Sequence, residues 1–287
     1  MIVWSPEAPC RSGTCLTPQG PKVGPTLRAL RLVAVSLVVL TGALLALPVR
    51  LLGTAGRARL ASVWSRLALW ALGVRVAARP GFAFLAGSAA GPRALPVSGV
   101  APLIVSNHVS WLDPLVMMAV VPCRVLARRE VRGWPLVGEM AVGAGAVLMD
   151  GERPSRLPEA VAGVARALGE GDPVAAFPEG TRWCGREMGV FRRAVFQAAL
   201  DAGAPVRPVA MRYLGPGGTP AVEAAYLGDD SLTASVLRVA GLRGLTVEVT
   251  LLPPVQARDR RSLAWAAESS IASVVIAPTV HGARVAA

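Results

Sequence analysis

The sequence predicts an α/β domain with a mixed, largely parallel sheet flanked by helices, preceded by N-terminal membrane-associated helices. Three observations carry this reading. From Leu103 onward, short strand-like runs rich in valine and alanine alternate with longer helical stretches, the pattern of parallel strands joined by crossover helices. Upstream, Leu32 to Leu47 is an apolar run broken only by Ser36, Thr41 and Gly42. Between them, Leu60 to Val76 places Leu60, Trp64, Leu67, Ala71 and Val74 on one helical face with Arg59 and Arg66 off its edge, the pattern of an interfacial amphipathic helix.

In chain order, residues 1–26 are punctuated by proline and glycine and read as a flexible tail. Residues 27–85 form the membrane-associated helical region. Sixteen helical residues from Leu32 to Leu47 reach only about 24 Å, against a hydrocarbon core of about 30 Å. The run therefore either spans with help from snorkelling Arg28, Arg31 and Arg50 or dips into one leaflet. These arginines flank it too evenly for loop charge to set an orientation. Residues 86–102 are a linker, 103–277 the main domain and 278–287 a C-terminal tail. Within that domain the pattern predicts strands at Leu103–Ser106, Arg124–Ala127, Ala146–Met149, Val174–Phe177, Val206–Arg212, Val222–Tyr226 and Thr246–Leu251. Helices are expected from Pro114, around Leu136–Val142, Leu157–Leu168, Phe191–Ala202, Ser231–Ala240 and Ser262–Val275, with Gly203 closing the fourth.

Composition removes several classes of function. Hydrophobic residues make up 53% and charged residues 17%, which excludes global disorder. The net charge of +12 would suit an anionic partner, but Lys22 is the single lysine and the arginines are dispersed. With aromatics at 5% there is no stacking platform, and nucleic acid is not an expected partner. Cys10, Cys15, Cys123 and Cys184 read as reduced thiols in a cytosolic setting, because Cys10-x4-Cys15 alone cannot complete a zinc site. His108 and His281 are the two histidines, so no metal is expected.

The chemistry concentrates in two segments that each follow a strand. Ser106-Asn107-His108-Val109-Ser110-Trp111-Leu112-Asp113-Pro114 holds the chain's only asparagine beside one of its two histidines. Asp113-Pro114 suits a helix opening, with aspartate at the N-cap and proline at the first turn. That would hold the carboxylate near the imidazole, fixing its tautomer and stabilising an imidazolium. Such a couple without a Ser or Cys nucleophile fits general-base activation of a substrate hydroxyl. Ser110 lacks the strained glycine surroundings of a nucleophile elbow. The second segment, Phe177-Pro178-Glu179-Gly180-Thr181-Arg182, delivers a guanidinium fork suited to phosphate.

Together, in this order, these segments resemble the first and third motifs of the glycerolipid acyltransferases, the 1-acyl-sn-glycerol-3-phosphate acyltransferase family. Arg128-Arg129-Glu130, Pro135-Leu136-Val137-Gly138 and Gly145 to Asp150 are similar to the family's second region, and Val206 to Met211 to its fourth. The resemblance covers roughly residues 100 to 214. It implies acyl transfer from acyl-CoA or acyl carrier protein, as co-substrate and without a further cofactor, to the sn-2 hydroxyl of a lysophospholipid. His108 would be the base and Asp113 its orienting partner. Glu179, Gly180, Thr181 and Arg182 would bind the acceptor headgroup, with Asn107 and Arg153 in support. Membrane lipids are the implied partners, and the implied location is the membrane, peripheral or single-pass, with the catalytic domain on the cytoplasmic face. One departure stands out: where the second motif commonly ends in arginine, this sequence has Gly151, with Arg153 two residues on. The acceptor therefore stays open between 1-acylglycerol-3-phosphate and another lysolipid, such as lyso-ornithine lipid.

Overall fold

The computed structural model describes residues 8–17, 20–81, 100–134, 136–150 and 154–276. Its strands are β1 (Arg75–Pro80), β2 (Leu103–Ser106), β3 (Arg124–Arg128), β4 (Val147–Met149), β5 (Val174–Ala176), β6 (Val206–Leu214) and β7 (Thr246–Leu251). They form one sheet in the order β1-β7-β6-β2-β5-β3-β4. All neighbours run parallel except the antiparallel pair β6–β7, so the sheet is mixed and largely parallel, as expected.

The helices are α1 (Ser12–Cys15), α2 (Pro25–Val49), α3 (Thr54–Ala71), α4 (Asp113–Val120), α5 (Val137–Gly143), α6 (Leu157–Gly169), α7 (Ala194–Asp201), α8 (Leu232–Gly241) and α9 (Arg260–Val275). They cover both faces of the sheet, and alternation along β2 shows how. Ile104 points into a core with Leu69 and Leu72 beside α3, Val116 and Met117 of α4, and Val239 of α8. Leu103 and Val105 point into the opposite core, with Val164 and Leu168 of α6, Phe196 of α7 and Ile271 of α9. A strand buried on both faces reads as a continuous apolar run, which is why Leu103–Ser106 was legible.

Four departures from the sequence reading have local causes. The helix expected to run to Val76 stops at Ala71. Gly73 takes the left-handed conformation at φ 73°, and Val74 N–H reaches back to Leu69 O at 2.9 Å, a Schellman-type ending. The chain then forms β1, an edge strand whose sequence Arg-Val-Ala-Ala-Arg-Pro is mostly exposed and shows no apolar alternation. The segment Val222–Tyr226 forms no named strand, but packs a buried 3-10 turn at Val222–Ala224. The helix expected from Phe191 begins at Ala194, because Phe191 N–H is given to Glu268 Oε2 and Arg192 N–H to Pro178 O.

The N-terminal region departs most. Rather than trailing free, the described part of the first 26 residues is held to the domain. Ser12 N–H and Oγ–H both donate to Asp229, Gly20 N–H donates to Glu223, and Val23 N–H donates to Gly241 O. Helix α2 starts at Pro25, with proline in its first turn, well before the apolar run. Its 25 residues reach about 37 Å, long enough and apolar enough to cross a membrane by length and composition. Yet both ends are fastened. Arg28 and Arg31, expected to snorkel, instead donate to the carbonyls of Leu237, Ala240 and Leu242 at the C-terminal end of α8. At the other end Ala46 packs on Gly143 of α5, and Arg50 pairs with Glu139 at 2.5 Å. Helices α2 and α3 pack closely because Gly42 leaves room for Trp64. A Cβ there would sit 2.6 Å from the indole nitrogen, which donates to Val38 O.

Candidate active site

Strands β2 and β5 are parallel neighbours at the centre of the sheet, so the loops that follow them emerge side by side at its carboxyl rim. This adjacency brings together two segments about 70 residues apart in sequence. Trp183 N–H donates to His108 O at 2.9 Å, joining one loop to the other.

The His108 loop is organised by a single carboxylate. Asp113 is fully buried. Its Oδ2 lies 2.7 Å from His108 Nδ1 and accepts from the N–H groups of Val109 at 2.6 Å and Ser110 at 2.8 Å. Its Oδ1 accepts from Tyr213 Oη at 2.5 Å. Four donors converge on it, and an ionised carboxylate, which only accepts, satisfies all four. Asp113 is thus not the N-cap expected of it. It is the first residue of α4, follows Leu112, and turns its side chain back into the loop. With Nδ1 facing a carboxylate, the imidazole carries its proton there and presents Nε2 as an acceptor. The ring is 17% exposed, lines a cavity, and stacks on Phe177 at 4.5 Å between centroids.

Strand β6 runs on past the end of β2, where Ser106 pairs with Val209. Two of its residues beyond that point hold the loop. Asn107 takes the place of the missing strand partner: its Nδ2 donates to Met211 O at 3.0 Å, and its Oδ1 accepts from Met211 N–H at 2.8 Å. Asn107, expected to support the site, is buried and acts as this clamp. Tyr213, which the sequence reading missed, reaches Asp113. Burial and the adjacent carboxylate push the phenol pKa well above its usual value, so it stays a donor. The available signal was rarity, because Tyr213 and Tyr226 are the chain's two tyrosines and both sit at this site.

The second loop divides its residues between two levels. Gly180 turns at φ 70°, a conformation that favours glycine, and its N–H returns to Phe177 O. Gly180, Thr181 and Arg182 line the cavity. Arg182 Nε donates to Tyr226 O at 2.5 Å, and the guanidinium lies 4.4 Å over the Tyr226 ring. Arg128, not singled out from the sequence as a site residue, donates to Gly180 O at 2.7 Å and brings a second guanidinium to the same wall.

Glu179 corrects an expectation. It is 2% exposed, is not part of the cavity wall, and lies beneath the loop, so it cannot touch a headgroup there. Among the described residues neither carboxyl oxygen has a hydrogen-bond partner. Burial pushes its pKa up to about 9, aided by Asp113 and Glu268 and partly offset by the amides of His108 and Gly189, which do not reach hydrogen-bond geometry. Below about pH 4.5 folded and unfolded chains both hold this proton. Between there and about pH 9 only the folded chain does, so stability falls as pH rises, by up to about 1.4 kcal/mol per unit, and levels off above. Glu179→Gln is expected to remove that slope. Its melting temperature should exceed the parent's by a margin that widens from pH 5 to pH 9. Arg153 and Gly151 lie outside the described residues, as does His281.

The rim opens into a cavity of about 1220 Å³. Its walls are mostly apolar, from Val35, Val39 and Leu45 of α2, Trp64 of α3, and Met140 of α5. Its charged lining residues are Arg11, Arg57, Arg128, Glu130, Arg182 and Asp229. Apolar surface, guanidinium groups and the His108 ring thus share one cavity.

Comparison with known proteins identifies the family and the fold. The model of the acyltransferase family matches residues 90–212. A lyso-ornithine lipid O-acyltransferase of Pseudomonas aeruginosa is 38% identical over 191 residues, covering 64% of this chain and 72% of that protein. A 1-acyl-sn-glycerol-3-phosphate acyltransferase of Neisseria gonorrhoeae is 34% identical over 176 residues, 60% of this chain and 69% of that one. The fold matches the crystal structure of the 1-acyl-sn-glycerophosphate acyltransferase PlsC from Thermotoga maritima, with a TM-score of 0.62 at 18% identity, over 86% of this chain and 92% of that one. With two loops joined at adjacent strand ends, an apolar cavity behind them, and these relatives, the chain belongs to the acyltransferase family that includes the 1-acyl-sn-glycerol-3-phosphate and lyso-ornithine lipid enzymes.

Proposed function

We propose that this acyltransferase moves a fatty acyl group from acyl-CoA or acyl carrier protein to the sn-2 hydroxyl of 1-acylglycerol-3-phosphate, forming phosphatidate for phospholipid biosynthesis. The observation that carries the reading is the Asp113-held imidazole of His108 in the wall of a mostly apolar cavity that Arg182 and Arg128 also line. In the reaction, His108 Nε2 takes the hydroxyl proton while that oxygen attacks the thioester carbonyl. The tetrahedral intermediate collapses by breaking the carbon–sulfur bond, and the imidazolium returns its proton to the departing thiolate. Asp113 holds the tautomer and stabilises the transient imidazolium. Arg182, steadied by Tyr226, and Arg128 would face the phosphate.

A second reading, transfer to another lysolipid such as lyso-ornithine lipid, is favoured by Gly151 standing where the family commonly has arginine, and by the name of the Pseudomonas aeruginosa relative. Labelled acyl transfer measured across lysophosphatidate, lyso-ornithine lipid and lysophosphatidylcholine separates the two. Lysophosphatidate is the expected best acceptor, and a preference for lyso-ornithine lipid would replace it. Arg182→Ala should raise KM for an anionic acceptor by about tenfold or more, the loss of one charge-assisted contact.

The outer side of the α2–α3 pair would rest on the membrane. Leu30, Val33, Leu37, Leu44 and Leu47 are exposed there at 58% or more. Because both ends of α2 are fastened to the domain, we read it as lying in the interface rather than crossing it. Acyl-CoA and acyl carrier protein are cytoplasmic, which would set the domain on that face. Leu37→Asp with Leu44→Asp is expected to move the protein largely from sedimented vesicles to the supernatant.

A further inference from the structure

Three of the four cysteines, scattered in sequence, meet in space. The Sγ atoms of Cys10, Cys15 and Cys184 all lie within 4.8 Å of one another. The spacing Cys10-x4-Cys15 offered two ligands, and the third arrives from the loop that carries Arg182. Each side of the cluster is held without any metal. Cys15 closes the turn α1, its N–H bonded to Arg11 O, and Ser12 of the same turn is bound to Asp229. Cys184 follows Trp183, whose N–H is bonded to His108 O.

The distances discriminate between two fates for such thiols. Zinc–sulfur bonds of about 2.3 Å bring three sulfurs to about 3.8–4.0 Å apart. Closing to that separation takes a contraction of about 1 Å or less. A disulfide would pull one pair to about 2.05 Å and leave the third thiol over. Cys10 and Cys184 are buried and Cys15 is half-buried, so a fourth position opens on the Cys15 side, where water can complete a tetrahedron. An all-sulfur donor set selects thiophilic ions over magnesium or calcium.

We propose that Cys10, Cys15 and Cys184 form a three-thiolate site for zinc that ties the N-terminal segment to the Arg182 loop. Binding one Zn²⁺ releases three thiol protons and leaves a single negative charge beside Arg11. Since Ala8, Cys10 and Arg11 line the same cavity as Arg182 and Tyr226, the ion fixes one of its walls.

The test uses the full-length protein in detergent, reduced, freed of reductant and kept anaerobic. Titration with Co²⁺ should produce a thiolate charge-transfer band that saturates at one equivalent and disappears when Zn²⁺ is added. Cys184→Ser, and separately Cys15→Ser, should weaken Co²⁺ binding by at least tenfold. Cys123→Ser, which alters a buried cysteine outside the cluster, should leave it unchanged, as should His108→Ala, which makes the result independent of acyl transfer. Zn²⁺ should also slow tryptic cleavage after Arg11 in the parent and not in Cys184→Ser. The proposal is overturned if the parent gives no band, if the band survives both single substitutions, or if cleavage is indifferent to zinc. It is equally overturned if peptide mapping of the protein as isolated finds two of these cysteines in a disulfide and the reduced form takes up no metal.

Discussion

Replacing His108 with alanine is expected to reduce acyl transfer by about 10²–10⁴-fold or more while leaving the protein folded. The ring is partly exposed, and its stacking on Phe177 and its bond to Asp113 are its main contacts, so little core is lost with it. What is lost is the acceptor that draws the proton from the substrate hydroxyl. A single-turnover assay at saturating acyl donor, with circular dichroism on the same preparation, checks this. Transfer at the parental rate would exclude His108 as the base.

Asp113→Asn is expected to be comparably severe for rate and considerably worse for stability. The side chain keeps its volume, but one carboxylate oxygen becomes an NH₂ donor among four donors: the ring Nδ1, two backbone amides and Tyr213 Oη. With the NH₂ in the Oδ2 position it faces two backbone N–H groups that can only donate, in a fully buried site, at about 1–3 kcal/mol for each group left unpaired. In the Oδ1 position it forces the Tyr213 hydroxyl to accept instead of donate. If the NH₂ faces the ring, Nδ1 becomes the acceptor, the proton moves to Nε2, and the base is lost. The analogous exchange in a Ser-His-Asp triad removes about 10⁴ in rate. Thermal denaturation and kcat measured together separate the two effects. A variant as stable and as active as the parent would show that Asp113 neither orients the ring nor carries charge.

The two loops were legible in the sequence because their residue types have few other uses at strand ends, and because β2 and β5 are short and buried on both faces. The partners that hold them were not. Tyr213 lies 100 residues beyond Asp113, and no spacing reports that β6 outruns β2. Arg128 looked like one arginine among many until Gly180 O fell beside it. Glu179 was grouped with its neighbours by motif, yet the chain turns at Gly180, and Glu179 is buried before the turn while Thr181 and Arg182 after it line the cavity. Edge strand β1 gave no apolar period because it buries almost nothing, and Val222–Tyr226 gave a misleading one because apolar residues fill a core as readily from a turn as from a strand.

The bond from Trp183 to His108 has a further consequence. A change that reshapes the guanidinium-bearing loop for a different lipid will also displace the backbone on which the imidazole sits. If the two loops hold acceptor and base as proposed, selectivity and turnover are mechanically geared. A swap that improves the choice of acceptor should slow every acceptor unless a matching adjustment is made near residue 108.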